Sequence, residues 1–404
     1  MTYTYPSLPN TLAASGLTKR REMIDRRLAT QPKEVIFCKK CVVSNQRPRI
    51  QFDQNGVCGA CKFAFDKHHV IDWNDRGRQL KDLCDRHRRT DGRHDVIVPS
   101  SGGKDSAYVA HQLKHHFGMH PLTVTWAPHI YTDIGWQNFN NFIHAGFDNV
   151  TGYPNGKVHR ILTALSFEHL GDPFQPFIYG AKAFPLRVAT QYDIPLVMYG
   201  ENGEVEYGGD MKNQNSPTHN LSDDMVKHYF SGVPADYWHY HGIATEDLTP
   251  YLPPAAADLE RVGVQAHFFG YYKKWIPRDI FHYASEHTGF RPNPDGRSEG
   301  TYTEYASLDD RIDGFHYYLG FIKFGIGRCT SDAAHEIRDG QISREEGVSW
   351  VRRFDGEFPA KYFQDFLSYT GLSERFFWEV VDSFRPLHLW EEVDGEWKLK
   401  HQVL

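Results

Sequence analysis

No apolar run in these 404 residues approaches the ~18 that would read as a membrane span. The first residues, Met1-Thr2-Tyr3-Thr4-Tyr5-Pro6, lack a basic segment leading into an apolar one, so no secretory signal is expected and the chain reads as cytoplasmic. No large excess of one charge sign is present: 45 Lys and Arg against 51 Asp and Glu leave a net −6, which gives no whole-surface attraction for nucleic acid. Internal repeats and low-complexity tracts are missing, which sets aside solenoids and fibrous or disordered chains. What remains is an ordinary globular composition, long enough for two or three domains.

Cysteine is also sparse, but four of the six residues are concentrated in two C-x-x-C pairs, Cys38/Cys41 and Cys58/Cys61. Each pair places two thiolates on one tetrahedral ion, and the residues between can fold back as a β-ribbon. Asn55-Gly56 marks a tight turn just before the second pair. Disulfides or a redox C-x-x-C are the alternatives, but neither a secretory signal nor a thioredoxin-like βαβ pattern accompanies them. A structural zinc held by all four thiolates is the expectation. Cys84 and Cys329 read as inert packing residues.

The organisation then falls into four parts. Residues 1–35 form an N-terminal arm whose basic stretch, 18–28, reads as a solvated helix. Residues 36–75 form the zinc ribbon, and a charged helix follows over 73–93. From 90 to 330, short strand-like runs at 95–98, 122–126, 148–151 and 194–199 alternate with helical patterns, which predicts an α/β fold: a parallel sheet with helices on both faces. A loop-rich aromatic region spans about 209–297. Residues 331–404 read as a helical C-terminal region.

Between the first strand and the next helix lies Ser101-Gly102-Gly103-Lys104-Asp105-Ser106. Two glycines allow backbone N–H groups close to phosphate oxygens, and the helix N-terminus adds its positive end. The spacing is not that of a Walker A loop. The string resembles the PP-loop of the ATP pyrophosphatase superfamily, with a HUP-like sheet, whose members cleave ATP between the α and β phosphates. Within it, Gly200-Glu201-Asn202-Gly203-Glu204, continuing to Gly209, resembles a segment of asparagine-synthetase-type domains. That likeness implies Asp105 and Glu204 as Mg²⁺ ligands and Glu201 as the active-site glutamate, with Glu at 204 where the family has Asp. It also implies Lys323 and Arg328 as phosphate-binding cations, and adenine beside Thr125-Trp126, with Gly200 at the ATP site. Arg328, Glu336 and Arg338 share the family's spacing, although on their own they read as an ion-pair group on a helix surface.

Together with Gly296 to Tyr302, Phe324-Gly325-Ile326-Gly327-Arg328 and Asp355 to Pro359, these motifs resemble one family over roughly 37–385: the N-acetyl sugar amidotransferases of bacterial O-antigen and surface-glycan pathways. The resemblance implies ATP-dependent conversion of an acetamido group, on a nucleotide-linked N-acetyl sugar, into acetamidino. It also implies a separate glutaminase and a synthase-like companion that supply ammonia. The chain itself offers no glutaminase nucleophile: position 2 is Thr, and no cysteine has an activating context. Two other readings carry less: a tRNA-thiolating PP-loop enzyme, which needs a reactive cysteine past the loop, and a non-catalytic zinc-dependent scaffold.

Overall fold

Side-chain alternation along the first strand decides the architecture. β1 (Val96–Pro99) sends Ile97 into one apolar cluster and Val96 and Val98 into another, so it needs cover on both faces. The computed structural model, which describes residues 4–6, 8, 22–212, 214–218, 226 and 229–404, supplies that cover. β1 lies at the centre of a five-stranded parallel sheet ordered β3-β2-β1-β4-β5. The others are β2 (Pro121–Trp126), β3 (Asp148–Gly152), β4 (Leu196–Tyr199) and β5 (Gln265–Phe268). Helices Gly156–Leu170 and Gln175–Gln191 cover Ile97, Val124 and Val197 on one face. Helices Lys104–His115 and Pro277–His287 cover Val96, Val98 and Met198 on the other. The strand order runs outward in both directions from β1, so a crevice opens at the carboxyl end of β1, where a ligand would sit.

Three regions differ from the sequence-based expectation. The stretch 209–297 is not only loop: it holds β5, hydrogen-bonded in parallel to β4, and helix Pro277–His287. The cysteine segment is half ribbon and half helix. Single antiparallel bridges pair Phe37 with Ser44 and Phe52 with Cys58, and helix Gly59–His69 then starts inside the second cysteine pair. The C-terminal region is helical to Ser383 but ends in a hairpin, β6 (Trp390–Val393) and β7 (Glu396–Leu399). Asp394 and Gly395 make its turn with φ of +55° and +79°, the left-handed pair a two-residue hairpin requires.

The N-terminal arm is also corrected. Part of the expected helix at 18–28 lies outside the described residues; of the rest, only Leu28–Thr30 forms a short 3₁₀ turn. Its charges are not all solvated. Asp25 is 5% exposed and receives Arg27 Nη2 at 2.7 Å and Lys323 Nζ at 2.8 Å. Burial alone would raise its pKa, but the two cations outweigh burial and hold it well below the usual carboxylate range. No described helix is long and apolar enough to cross a membrane.

Removing one partner of this buried pair leaves the other charge uncompensated, a cost of roughly 3–5 kcal/mol. Lys323→Met is therefore expected to lower the denaturant midpoint strongly, and the Asp25→Asn/Lys323→Met double variant to recover part of the loss. Equal loss in single and double variants would contradict the pairing.

Candidate functional site

The loop after β1 is built to leave donors free. Gly102 has φ +84°, and a Cβ there would lie 2.5 Å from the Phe139 backbone, so no side chain fits. Ser100 Oγ accepts from Gly102 N at 3.2 Å and from Ser106 Oγ at 3.2 Å, which fixes the turn. Helix Lys104–His115 then begins with Gly103 as its N-cap and no side-chain cap. Helices Gly59–His69, Pro277–His287 and Arg328–Arg338 also lack a side-chain cap; what marks this helix is that its first residues and the loop before them line the crevice. The first amides of the loop helix therefore face the crevice unclaimed, at the positive end of a three-turn dipole.

Two cavities of 170 Å³ each flank this helix start, sharing Lys104, Asp105, Tyr305 and Arg328. One adds Ser101, Gly102, Gly103 and Asp309; the other adds Glu201, Asp332 and Glu336. Through these shared residues they form one groove in which cations and carboxylates are paired. Arg328 Nη1 donates to Tyr317 Oη at 2.5 Å, and Arg328 Nε pairs with Asp332 at 3.0 Å. Lys104 Nζ lies 2.7 Å from both oxygens of Asp105. Burial, and then the charge of Asp105, push the Glu201 carboxyl above its ordinary range. Burial likewise pushes Asp309 up to about 6, with Asp313 adding to the shift and a Ser101 hydrogen bond opposing it.

The groove thus gathers Ser101, Gly102, Gly103, Lys104, Asp105, Glu201 and Arg328, while other expected residues lie elsewhere. Glu204 faces a neighbouring cavity, where Arg49 Nη2 and Nε hold its two oxygens at 2.5 and 2.9 Å and Asp210 N donates at 2.6 Å. The structure does not bring Glu204 beside Asp105 in one cavity. Lys323 lines that neighbouring cavity too, tied to Asp25 and Leu170 O. The Thr125 hydroxyl accepts from Asn149 Nδ2 at 2.8 Å, and Trp126 packs so tightly on Gly180 that an added Cβ would lie 2.0 Å from the indole. Both side chains serve the core and leave only backbone for a nucleobase. Gly200 sits under Trp275, its carbonyl accepting from Gly270 N at 3.0 Å. The Ser106 hydroxyl is engaged inside the loop, 3.1 Å from Gly103 O.

Sequence reasoning missed Asp309, Tyr317 and Asp332, which lie outside the motif strings, and Lys182, which carries no spacing signal. Burial lowers Lys182 to about 8, against the opposing charge of Glu201, and its ammonium sits 4.6 and 3.9 Å from the Tyr199 and Tyr229 ring centroids.

The four sulfurs of Cys38, Cys41, Cys58 and Cys61 all lie within 4.8 Å of one another. Cys38–Cys61 and Cys41–Cys58 are each 3.8 Å apart, matching the ~3.8 Å edge of a tetrahedron with ~2.3 Å Zn–S bonds. The donor set fits a structural zinc. A second close group, His94, His120 and Asp148, is open to solvent at the amino-terminal edge of β1–β3, far from the groove. Helix Arg328–Arg338 connects zinc cluster and groove. Arg328 at its start lines the groove, as does Glu336, which accepts from Tyr302 Oη at 2.8 Å and pairs with Arg278 at 3.0 Å. Arg338 at its end donates to Cys41 Sγ at 3.7 Å and to Glu206 O at 2.8 Å. Arg328 and Glu336 thus serve the groove and Arg338 the cysteine cluster, rather than one surface ion-pair group.

Arg338→Met is expected to weaken zinc about 10–100-fold, as loss of a partner to metal ligands typically does; chelator competition measures it, and unchanged affinity would contradict the contact. Asp309 gives a pH test. Its folded pKa of about 6 lies above the 3.8 of a free side chain, so its contribution is full below pH 3.8 and is lost as pH rises through 6. Asp309→Asn should therefore gain stability relative to the parent between pH 4 and 7 in urea titrations, and not the reverse.

Among known proteins, residues 299–403 match the family model described as LPS biosynthesis protein WbpG-like, C-terminal domain. The match covers helix Arg328–Arg338 and the final hairpin, and so includes Arg328, Asp332 and Glu336 of the groove. No curated protein matches the chain. The C-terminal region is thus similar to a domain of lipopolysaccharide biosynthesis proteins.

Proposed function

We propose that the chain is an ATP-dependent amidotransferase of surface-glycan biosynthesis, which converts the acetamido group of an N-acetyl sugar into acetamidino. The observation that carries this reading is the uncapped start of helix Lys104–His115, opening into a groove that also holds Arg328, Asp105 and Glu201. Free backbone donors with an arginine suit phosphate, and carboxylates beside them suit a magnesium ion. The similarity of residues 299–403 to a lipopolysaccharide biosynthesis domain supports the glycan setting.

In the reaction, the amide oxygen attacks the α-phosphorus of ATP and pyrophosphate leaves, giving an O-adenylated imidate. Ammonia adds to the imidate carbon, a proton departs and AMP leaves, so the carbon keeps its oxidation state and exchanges O for NH. The amides at Gly103–Asp105 and Arg328 would hold the leaving pyrophosphate. Asp105 would hold Mg²⁺, which would supply charge neutralisation on the phosphates. Glu201, whose raised pKa makes it a better proton acceptor than an ordinary carboxylate, would take the proton from ammonia as it adds. A thiolation role is disfavoured: Cys329 is fully buried and burial pushes its thiol up, the opposite of an activated nucleophile.

The test is AMP and pyrophosphate release on incubation with ATP, Mg²⁺, ammonium and nucleotide-linked N-acetyl sugars, with the product about one mass unit lighter. Asp105→Asn is expected to reduce AMP formation by about 10²–10³-fold or more while leaving zinc content unchanged. Ammonium at alkaline pH should support the reaction, and glutamine alone should not. Near-normal turnover by Asp105→Asn, or product from glutamine alone, would refute the respective assignments.

A further inference from the structure

Behind the groove lies a second cavity of 250 Å³, separated from it by Tyr207 and Tyr317, which line both. Consecutive residues of one helix start divide between them: Gly327 and Ser331 face the second cavity, Arg328 and Asp332 the groove. One layer of side chains therefore separates the two spaces.

Four fixed cations line this cavity: Arg27, Arg47, Arg49 and Lys323. Three carboxylates answer them. Asp25 takes Lys323 at 2.8 Å and Arg27 at 2.7 Å. Glu204 takes Arg49 at 2.5 Å, and Asp172 takes His316 Nδ1 at 2.8 Å and lies 4.0 Å from Arg27. Arg47 is left over. It has no ion pair among the described residues, its Nε is buried without a hydrogen-bond partner, and its guanidinium stands 5.3 Å from the Tyr207 ring centroid. Burial lowers it to about 10 despite the nearby charge of Glu204. Arg47 is half-buried, and its buried Nε without a partner is costly unless an acceptor arrives. Its planar fork suits a phosphate, to which it can donate two parallel bonds.

The size narrows the occupant. Sites that enclose a whole drug-sized ligand run from about 300 to 1,000 Å³, so 250 Å³ accommodates a part of a larger molecule. We infer that this cavity holds the phosphate or diphosphate group of the acceptor substrate, gripped by Arg47, while the acceptor's reacting amide crosses the Tyr207–Tyr317 wall to the groove. This rests on the reading of the groove as the ATP site. It assigns a specificity role to 47–49, in the cysteine segment, whose zinc would then brace substrate binding as well as the fold. The same chemistry is offered by a nucleoside diphosphate and by a prenyl diphosphate.

The test is calorimetric titration of the full chain, preloaded with saturating α,β-methylene-ATP to block the groove, in two arms: UDP-N-acetylglucosamine and farnesyl diphosphate. Binding in one arm names the source. Arg47→Met should weaken that binding at least tenfold and Arg47→Lys should restore part of it, with α,β-methylene-ATP affinity changed less than twofold in both. Should Arg47→Met not fold, phenylglyoxal modification of Arg47 in the unaltered protein, read by mass spectrometry, should be slowed by methylenediphosphonate. Undiminished binding by Arg47→Met, no binding in either arm, or no protection of Arg47 overturns the inference. If the diphosphate binds through Arg47 but no AMP forms with any acceptor, the anion site stands and the amidotransferase reading falls.

Discussion

Four thiolates around one dication leave a net charge of about −2, and three of the four cysteines that would make this cluster are fully buried. Such a charge needs a counter-cation held in place. Arg338 is that cation, and it reaches Cys41 from the far end of the helix that begins at Arg328. The helix is thereby pinned at one end by the cysteine cluster and delivers an arginine to the groove at the other. The packing agrees: Cys38, Cys41 and Cys58 share one apolar cluster with Cys329, Ala333 and Ala334 of that helix. A zinc held by this cluster would be remote from the groove and would still set where the groove's arginine stands.

The groove itself is a compromise between opposed charges. Lys104 leans on Asp105, and Arg328 on Asp332 and Tyr317. None of these contacts uses the amides at the helix start, which stay available for an anion. Burial meanwhile raises both Glu201 and Asp309. Perturbed carboxylates beside unclaimed donors mark a site arranged for a ligand rather than for stability alone.

Most of the sheet was legible because β1, β2 and β4 are short, largely apolar runs followed by turn and helix patterns. β5 was missed because Gln265-Ala266-His267-Phe268 has no β-branched residue and sits in an aromatic stretch. The final hairpin did carry a signal: Asp394-Gly395 between Trp390–Val393 and Glu396–Leu399. It was overlooked beside the stronger helical pattern. The four cysteines were recognisable as one set from spacing alone, whereas the partners of Asp25, Arg338 and Lys323 were not. Each of those is a long-range contact of a charged residue, and local pattern treats such residues as solvated faces. For the same reason Glu204 was placed with Asp105 by motif, when its nearest partner is Arg49 from the cysteine segment.

Asp25 and Lys323 lie 298 positions apart in the chain. At a synthesis rate of about 5–20 residues per second, Asp25 leaves the ribosome roughly 15–60 s before its partner exists. During that interval Asp25 has Arg27 but lacks the lysine that completes its pairing in the folded protein. The cysteine segment waits in the same way for Arg338. The parallel sheet can form from contiguous chain, so the order of assembly runs from the middle outward, and the two ends close together. A chain ending before Arg328 would lack the helix that brings Arg328, Asp332 and Glu336, and so would not complete the groove.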